Sequence, residues 1–253
     1  MRASVTDWEL RPSTARGQLE LAWLHARFSF SFGGWDDPRW RRFGPVLALN
    51  EDRVQPGTGF PMHPHRDLEI LLLPLAGVVE HRDDLGHHGW VRPGELQFLR
   101  AGRGIRHTQM NTGKAVDHHL QVWLAPRRPG LSPAALQAPL PPPGADGWQV
   151  LAGGATAPAP VDADVVVALA DARRTAGPRV TVARQGRWHY VHVVDGRWQV
   201  TLRGASRRLG AGDALVLRDD TITAVWQPLD EARGRLLAFD VARQDVLAAA
   251  SSP

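Results

Sequence analysis

Two short stretches carry the residue types best suited to chemistry: "FPMHPHRDLEI", residues 60–70, and "AGRGIRHTQMN", residues 101–111. His63 and His65 stand two apart, as do His107 and Gln109. On a β-strand that spacing sends both members of a pair to one face. Two such pairs on adjacent strands can gather four side chains around one point inside a barrel. Imidazole nitrogens suit Fe, Ni, Cu or Zn, and an added oxygen donor moves the set toward non-haem iron. The alternative use of these histidines is as half-buried polar residues of a sheet.

Position 109 bears on how firmly a metal would be held. A carboxylate would bring a negative charge and two equivalent oxygens; glutamine offers one neutral carbonyl oxygen and an NH2 that cannot ligate. The expectation is weaker binding of a hard metal, a raised reduction potential and the loss of a proton acceptor. Three imidazoles alone can still hold Zn, Ni or Cu. Glu69 completes an H-x-H-x-x-x-E pattern with His63 and His65. On a straight strand four residues span about 13 Å, too far for one metal. Glu69 can act as a substitute base or ligand only if the chain bends near Arg66–Asp67; otherwise it is expected to be a hydrogen bonder in the barrel wall.

The elements needed to position these residues are strands. Gly and Pro number 25 and 20, a proportion that suits short strands joined by turns. Apolar or alternating runs recur at 46–54, 68–82, 96–99 and 118–126, and again at 148–153, 164–170, 179–184, 188–196, 197–203, 213–219, 222–226 and 235–241. Asp195–Gly196 is the clearest hairpin signal. The Ala-rich end, residues 241–250, reads as one short helix. Gly57, Gly59, Gly102 and Gly104 would allow tight turns at a barrel mouth. His118 and His119 lie on one strand, so at most one of them points inward. His81, His87 and His88 flank a "DDLG" turn and are expected to face solvent. Trp90, Trp123, Trp188, Trp198 and Trp226 are expected to fill the barrels or their interface.

The two halves echo each other. "RPGEL" at 92–96 is matched by "GAGDAL" at 210–215, each between similar strand patterns. Thr221 and Thr223 stand where the first copy has His107 and Gln109. The fold class predicted is all-β: a bicupin, two jelly-roll β-barrels in tandem with a short C-terminal helix. The proline-rich stretch 126–147 separates them, giving a metal-bearing domain over 1–135 and a degenerate one over 136–253.

Composition excludes several classes. The absence of cysteine removes disulfides and thiolate metal sites. No run approaches ~18 apolar residues, so no spanning helix is expected; the start lacks the apolar core of a signal peptide, and the cytoplasm is the expected location. A net charge of +4 comes almost entirely from dispersed arginines, so direct nucleic-acid binding is not expected. Neither a phosphate-binding loop nor a G-x-S-x-G elbow occurs.

The ordered segments "HPHRDLEI", "GVVEHRDDLG", "PGELQFLRAGRGIRH" and "LQVWLAP" resemble the pirin family of the cupin superfamily, most strongly over residues 25–126. The earlier "HARFSFSFGGWDDPRWRRFGPVLALNEDRVQPGTGF" is similar to the pirin N-terminal region. The resemblance implies one divalent transition metal, iron foremost with Ni, Cu, Zn and Mn as alternatives. It places the metal on His63, His65 and His107, with the family's glutamate replaced by Gln109. It also implies the bacterial subgroup associated with quercetin 2,3-dioxygenase activity, acting on a polyphenol and O2. Because position 109 lacks a carboxylate, such activity is expected to be weak or absent. Other pirins are redox-responsive partners of transcription factors, so a protein-binding regulator is the second expectation, and a cupin that has lost its metal the third.

Overall fold

A computed structural model describes residues 8–174, 180–182, 186–218, 222–230 and 233–242. The described residues form strands and turns, with one 3-10 turn, Ser13–Ala15, as the helical element among them. Val241 and Ala242, assigned from sequence to a terminal helix, close the strand Arg235–Ala242; residues 243–250 lie outside the described residues. The chain divides into two compact units. One comprises Arg16–Pro141 and Leu151–Asp164; the other comprises Met1–Ala15, Pro142–Val150 and Val165–Pro253.

The first unit contains a seven-stranded antiparallel sheet. Its order is Ala134–Pro139, Glu95–Arg100, Glu69–Ala76, Asp117–Leu124, Val46–Val54, Leu24–Phe28, Gly17–Glu20. The interior strand Glu69–Ala76 is buried through its first six residues, in keeping with its apolar run from Ile70. A four-stranded antiparallel sheet follows the order Gly59–His65, Ile105–Met110, Val79–Asp83, His88–Val91. The chain crosses from this sheet to the large one at Arg66–Leu68, where Asp67 adopts a φ of 49°.

The other large sheet runs Trp8–Arg11, Ala214–Leu217, Arg187–Asp195, Arg235–Ala242, Val165–Asp171, Trp148–Ala152. Its smaller companion runs Val180–Val182, Ala224–Pro228, Trp198–Leu202, Ala205–Leu209. When each four-stranded sheet is numbered by chain position, both have the spatial order first, fourth, second, third. The echo between the halves is thus a repeated topology. Trp198 and Trp226 fill the second core, each fully buried, and meet edge to face at 6.4 Å. Such a pair adds about 0.5–1.5 kcal/mol beyond its area burial. Trp90 departs from the expected core role: it is 41% exposed and donates its indole N–H to Thr112 Oγ1 at 3.2 Å.

Asp195–Gly196 does not close a hairpin. Arg187–Asp195 pairs with Ala214–Leu217 and Arg235–Ala242, whereas Trp198–Leu202 pairs with Ala205–Leu209 and Ala224–Pro228. The turn carries the chain from one sheet to the other. Gly196 is needed there: its φ is 76°, and a Cβ would lie 2.8 Å from the Arg233 carbonyl oxygen. Local turn chemistry and sheet assignment are separate choices, and here the packing of two sheets decided the second.

Candidate metal centre

His63 and His65 lie on Gly59–His65, an edge strand. Pro61 and Pro64 are tolerated there because an edge strand leaves alternate backbone groups unpaired. The neighbouring strand, Ile105–Met110, sets His107 opposite His63; a register shift then sets Gln109 opposite Phe60. The strands approach so closely that a Cβ on Gly59 would lie 2.4 Å from the Gln109 carbonyl oxygen, and its φ is 151°. No other residue fits that position without displacing the Gln109 strand.

The three imidazoles converge. Ring centroids are 4.5 Å apart for His63–His107, 4.8 Å for His63–His65 and 5.0 Å for His65–His107. One ligand atom from each lies within 4.8 Å of the others. His63 Nδ1 donates to the Pro61 carbonyl at 2.7 Å, which leaves Nε2 as the unprotonated donor atom. His107 is buried with neither ring nitrogen bonded to the protein. Burial, then the charge of His63, lowers the His65 imidazole to about 4. Burial, reinforced by His63 and His65, lowers His107 to about 2. At neutral pH both are therefore neutral lone-pair donors. Buried nitrogens without protein partners cost free energy that a cation would recover. The donor set fits one divalent transition metal.

His81, expected in solvent, is buried and lies 5.3 Å from the His107 ring, centroid to centroid. It sits on the third strand of the small sheet, opposite Gln109, and its Nε2 donates to Asp83 Oδ2 at 3.0 Å. The expectation failed because the adjacent turn is exposed while the strand entering it alternates inward. His87 and His88 are exposed, as expected, and bond to Asp83 and Glu80.

Glu69 does not join the three imidazoles. The chain does bend at Arg66–Asp67, but the bend delivers Glu69 to the other sheet. There its fully buried carboxylate accepts N–H groups from Asp162 at 2.8 and 2.9 Å and from Ala163 at 3.0 Å. Arg100 Nε donates to it at 3.1 Å and also bonds the Pro160 carbonyl through its other end. Asp67 is likewise occupied, accepting the Gly130 N–H at 2.6 Å.

Beside the histidines lies a cavity of about 240 Å³. Leu24, Phe28, Phe32, Phe60 and Trp123 supply apolar surface, while His63, His65 and Gln109 line the same space. Trp123 therefore faces a ligand-sized void, which its alternation within "LQVWLAP" did not reveal. Among the described residues, Asp52 is the one carboxylate lining this cavity. Asn50 and Asp52, two apart on the buried face that Val46, Ala48 and Val54 share, were the available signal for it.

Asp52 belongs to a buried charged group. His119 Nδ1 donates to Asp117 Oδ2 at 2.7 Å, and its Nε2 lies 3.6 Å from Asp52 Oδ2. Burial alone would neutralise this imidazole, but Asp117 and Asp52 together overcome it and raise the group to about 10. His118, the outward member, bonds Glu51 at 2.9 Å. A raised folded-state value stabilises fully below the ordinary imidazole value of 6.5, and the stabilisation disappears as pH rises through about 10. His119→Gln is therefore expected to unfold more readily than the parent at pH 6.5, with the gap closing toward pH 10. Denaturant titrations at both ends of this window check it; a gap that widens with pH would contradict the charged assignment.

Two sets of strands repeated in one order, with a cluster of three histidines in one of them, define a bicupin. The pirin family model matches residues 9–124. A pirin-like protein of Caulobacter vibrioides is 31% identical over 221 residues, covering 85% of this chain and 92% of that one. The quercetin 2,3-dioxygenase of Escherichia coli strain K12 is 39% identical over 125 residues, 49% of this chain and 54% of that protein. The matched segment thus spans about half the length of that relative. The crystal structure of the bacterial pirin YhhW from Escherichia coli in complex with nickel(II) superposes with a TM-score of 0.81 at 28% identity, covering 94% of this chain and 100% of that one. The chain belongs to the pirin family. No helix among its described residues is long and apolar enough to cross a membrane.

Proposed function

We propose that this protein binds one divalent transition metal through His63, His65 and His107 and oxygenates a flat polyphenol of the flavonol type, slowly. The carrying observation is the coincidence of three converging imidazoles with an aromatic-lined cavity. The nickel(II) complex of YhhW and the quercetin 2,3-dioxygenase relatives support the reading. A bound metal would supply Lewis-acid activation of adjacent substrate oxygens and of O2. The chain's residues do the remaining work: Phe28, Phe32, Phe60 and Trp123 receive the rings and exclude water.

Slowness follows from the lack of a free base. A catalytic base must reach the proton it removes. Glu69 and Asp67 are bonded elsewhere, Asp52 is paired with His119, and Gln109 cannot accept a proton. Gln109→Glu is expected to increase quercetin turnover by about 100-fold, within the ordinary range for general-base catalysis. The measurement is metal content of the purified protein together with oxygen consumption on quercetin, for parent and variant. Parent turnover equal to that of the metal-loaded variant would overturn the account of position 109. A parent that retains less than about a tenth of an equivalent of any transition metal after loading would overturn the metal-centre reading.

A further inference from the structure

Gln109 is 4% exposed, and its Oε1 accepts a hydrogen bond from Gln121 Nε2 at 2.7 Å. Gln121 Oε1 in turn accepts the indole N–H of Trp123 at 2.8 Å. An indole nitrogen can only donate. It therefore dictates which end of the Gln121 amide it meets, and Gln121 then dictates the orientation of Gln109. Reversing both amides would point the Gln121 NH2 at the indole N–H, donor against donor. The chain Trp123→Gln121→Gln109 thus has one polarity. It commits the Gln109 oxygen to Gln121 and leaves Gln109 Nε2 buried without a protein partner. Gln109 lines the cavity that His63 and His65 line.

We propose that Gln109 is a fixed hydrogen-bond donor rather than a metal ligand, and that its NH2 binds an anionic oxygen of a phenolate or enolate held at the three-histidine centre. The proposal rests on the metal-centre reading and specifies the ligand that centre takes. Three imidazoles and an amide carry no negative charge, so the chain contributes none from these four positions. An anionic oxygen then supplies what the absent carboxylate would have supplied, and the amide selects it over a neutral ligand. A charge-assisted hydrogen bond of this kind also satisfies the orphaned nitrogen. Trp123 and Gln121 are positioning residues: they act on the ligand through Gln109.

The test uses the whole chain loaded with Co(II), with 4-nitrocatechol as the probe. Absorbance reports both the metal's coordination and the deprotonated catechol. Gln109→Met keeps the length and burial but cannot donate. It should bind Co(II) with unchanged affinity and an unchanged metal spectrum, and nitrocatecholate about 10-fold or more weakly. Trp123→Phe, which keeps the ring but frees the amide chain to reverse, should also leave Co(II) affinity intact and weaken nitrocatecholate. If Gln109→Met lowers Co(II) affinity or alters the metal spectrum, the glutamine oxygen is a ligand and the proposal is overturned. If both variants bind nitrocatecholate as the parent does, the proposal fails while the metal centre stands. If the parent binds no Co(II), the metal-centre reading and this proposal both fall.

Discussion

His107→Ala is expected to lower divalent-metal affinity by about 100-fold or more, since loss even of a residue supporting a ligand costs 10–100-fold. Of the three imidazoles His107 is the most buried, and both of its nitrogens lack protein partners. It contributes nothing to folding through hydrogen bonds. In the metal-free protein the same substitution should therefore cost less than about 1 kcal/mol, because the small void it leaves is offset by removal of two unsatisfied polar atoms. The two measurements separate a ligand from a structural residue. Metal affinity is read by competition with a chromogenic chelator, and stability of the metal-free protein by urea titration. A large stability loss with metal affinity intact would show that the histidine packs the sheet and does nothing else. Stoichiometric metal that resists chelation in the variant would remove His107 from the centre.

Glu69→Ala is expected to destabilise the first unit by about 3–5 kcal/mol, the usual consequence of deleting one partner of a buried ion pair. The loss is compounded because the carboxylate also satisfies two backbone N–H groups, those of Asp162 and Ala163. Removing it leaves Arg100 partly desolvated and unpaired with it, and frees the segment Leu151–Asp164 from the strand Glu69–Ala76. Limited proteolysis should then cut within that segment before it cuts the sheets. The companion variant Glu69→Gln tests the other use of this residue. It should retain metal and any flavonol turnover at the parent's level, because the carboxylate is engaged away from the three imidazoles. Loss of metal from a folded Glu69→Gln protein would return Glu69 to the site. A cost below about 1 kcal/mol for the alanine variant would show that the network is not under tension from burial.

What is legible in the sequence follows from periodicity. A spacing of two translates directly into a shared strand face, so the convergence of His63, His65 and His107 needed only the strands and their adjacency. The repeated strand order follows from the same kind of signal, a turn motif recurring between similar apolar runs. Sheet membership was not legible. Gly196 carries a hairpin signal and instead transfers the chain between sheets with a φ of 76°, as Gly77 does with a φ of 75°. A bend at Asp67 could have turned Glu69 toward the three histidines; the bend that forms delivers it to the other sheet instead. His81 departs from its expected solvent position for a related reason: a polar turn says nothing about which face its flanking strand buries.

The orientation of Gln109 lay still further from reach. It depends on Gln121 and Trp123, residues of another strand whose register against the site no local pattern specifies. A glutamine read alone offers an oxygen and a nitrogen with equal right to the cavity. Only a donor that cannot accept, placed two hydrogen bonds away, removes the symmetry.

The contact between Trp123 and His65, edge to face at 5.0 Å, has an optical consequence. Excitation energy on this indole lies within quenching range of an open-shell ion held by the imidazoles, whereas closed-shell Zn(II) would leave its emission intact. Among ten tryptophans only Trp123 lines the cavity, so the difference between parent and Trp123→Phe emission isolates it. The same ring that orients the amide chain makes occupancy of the centre readable as light.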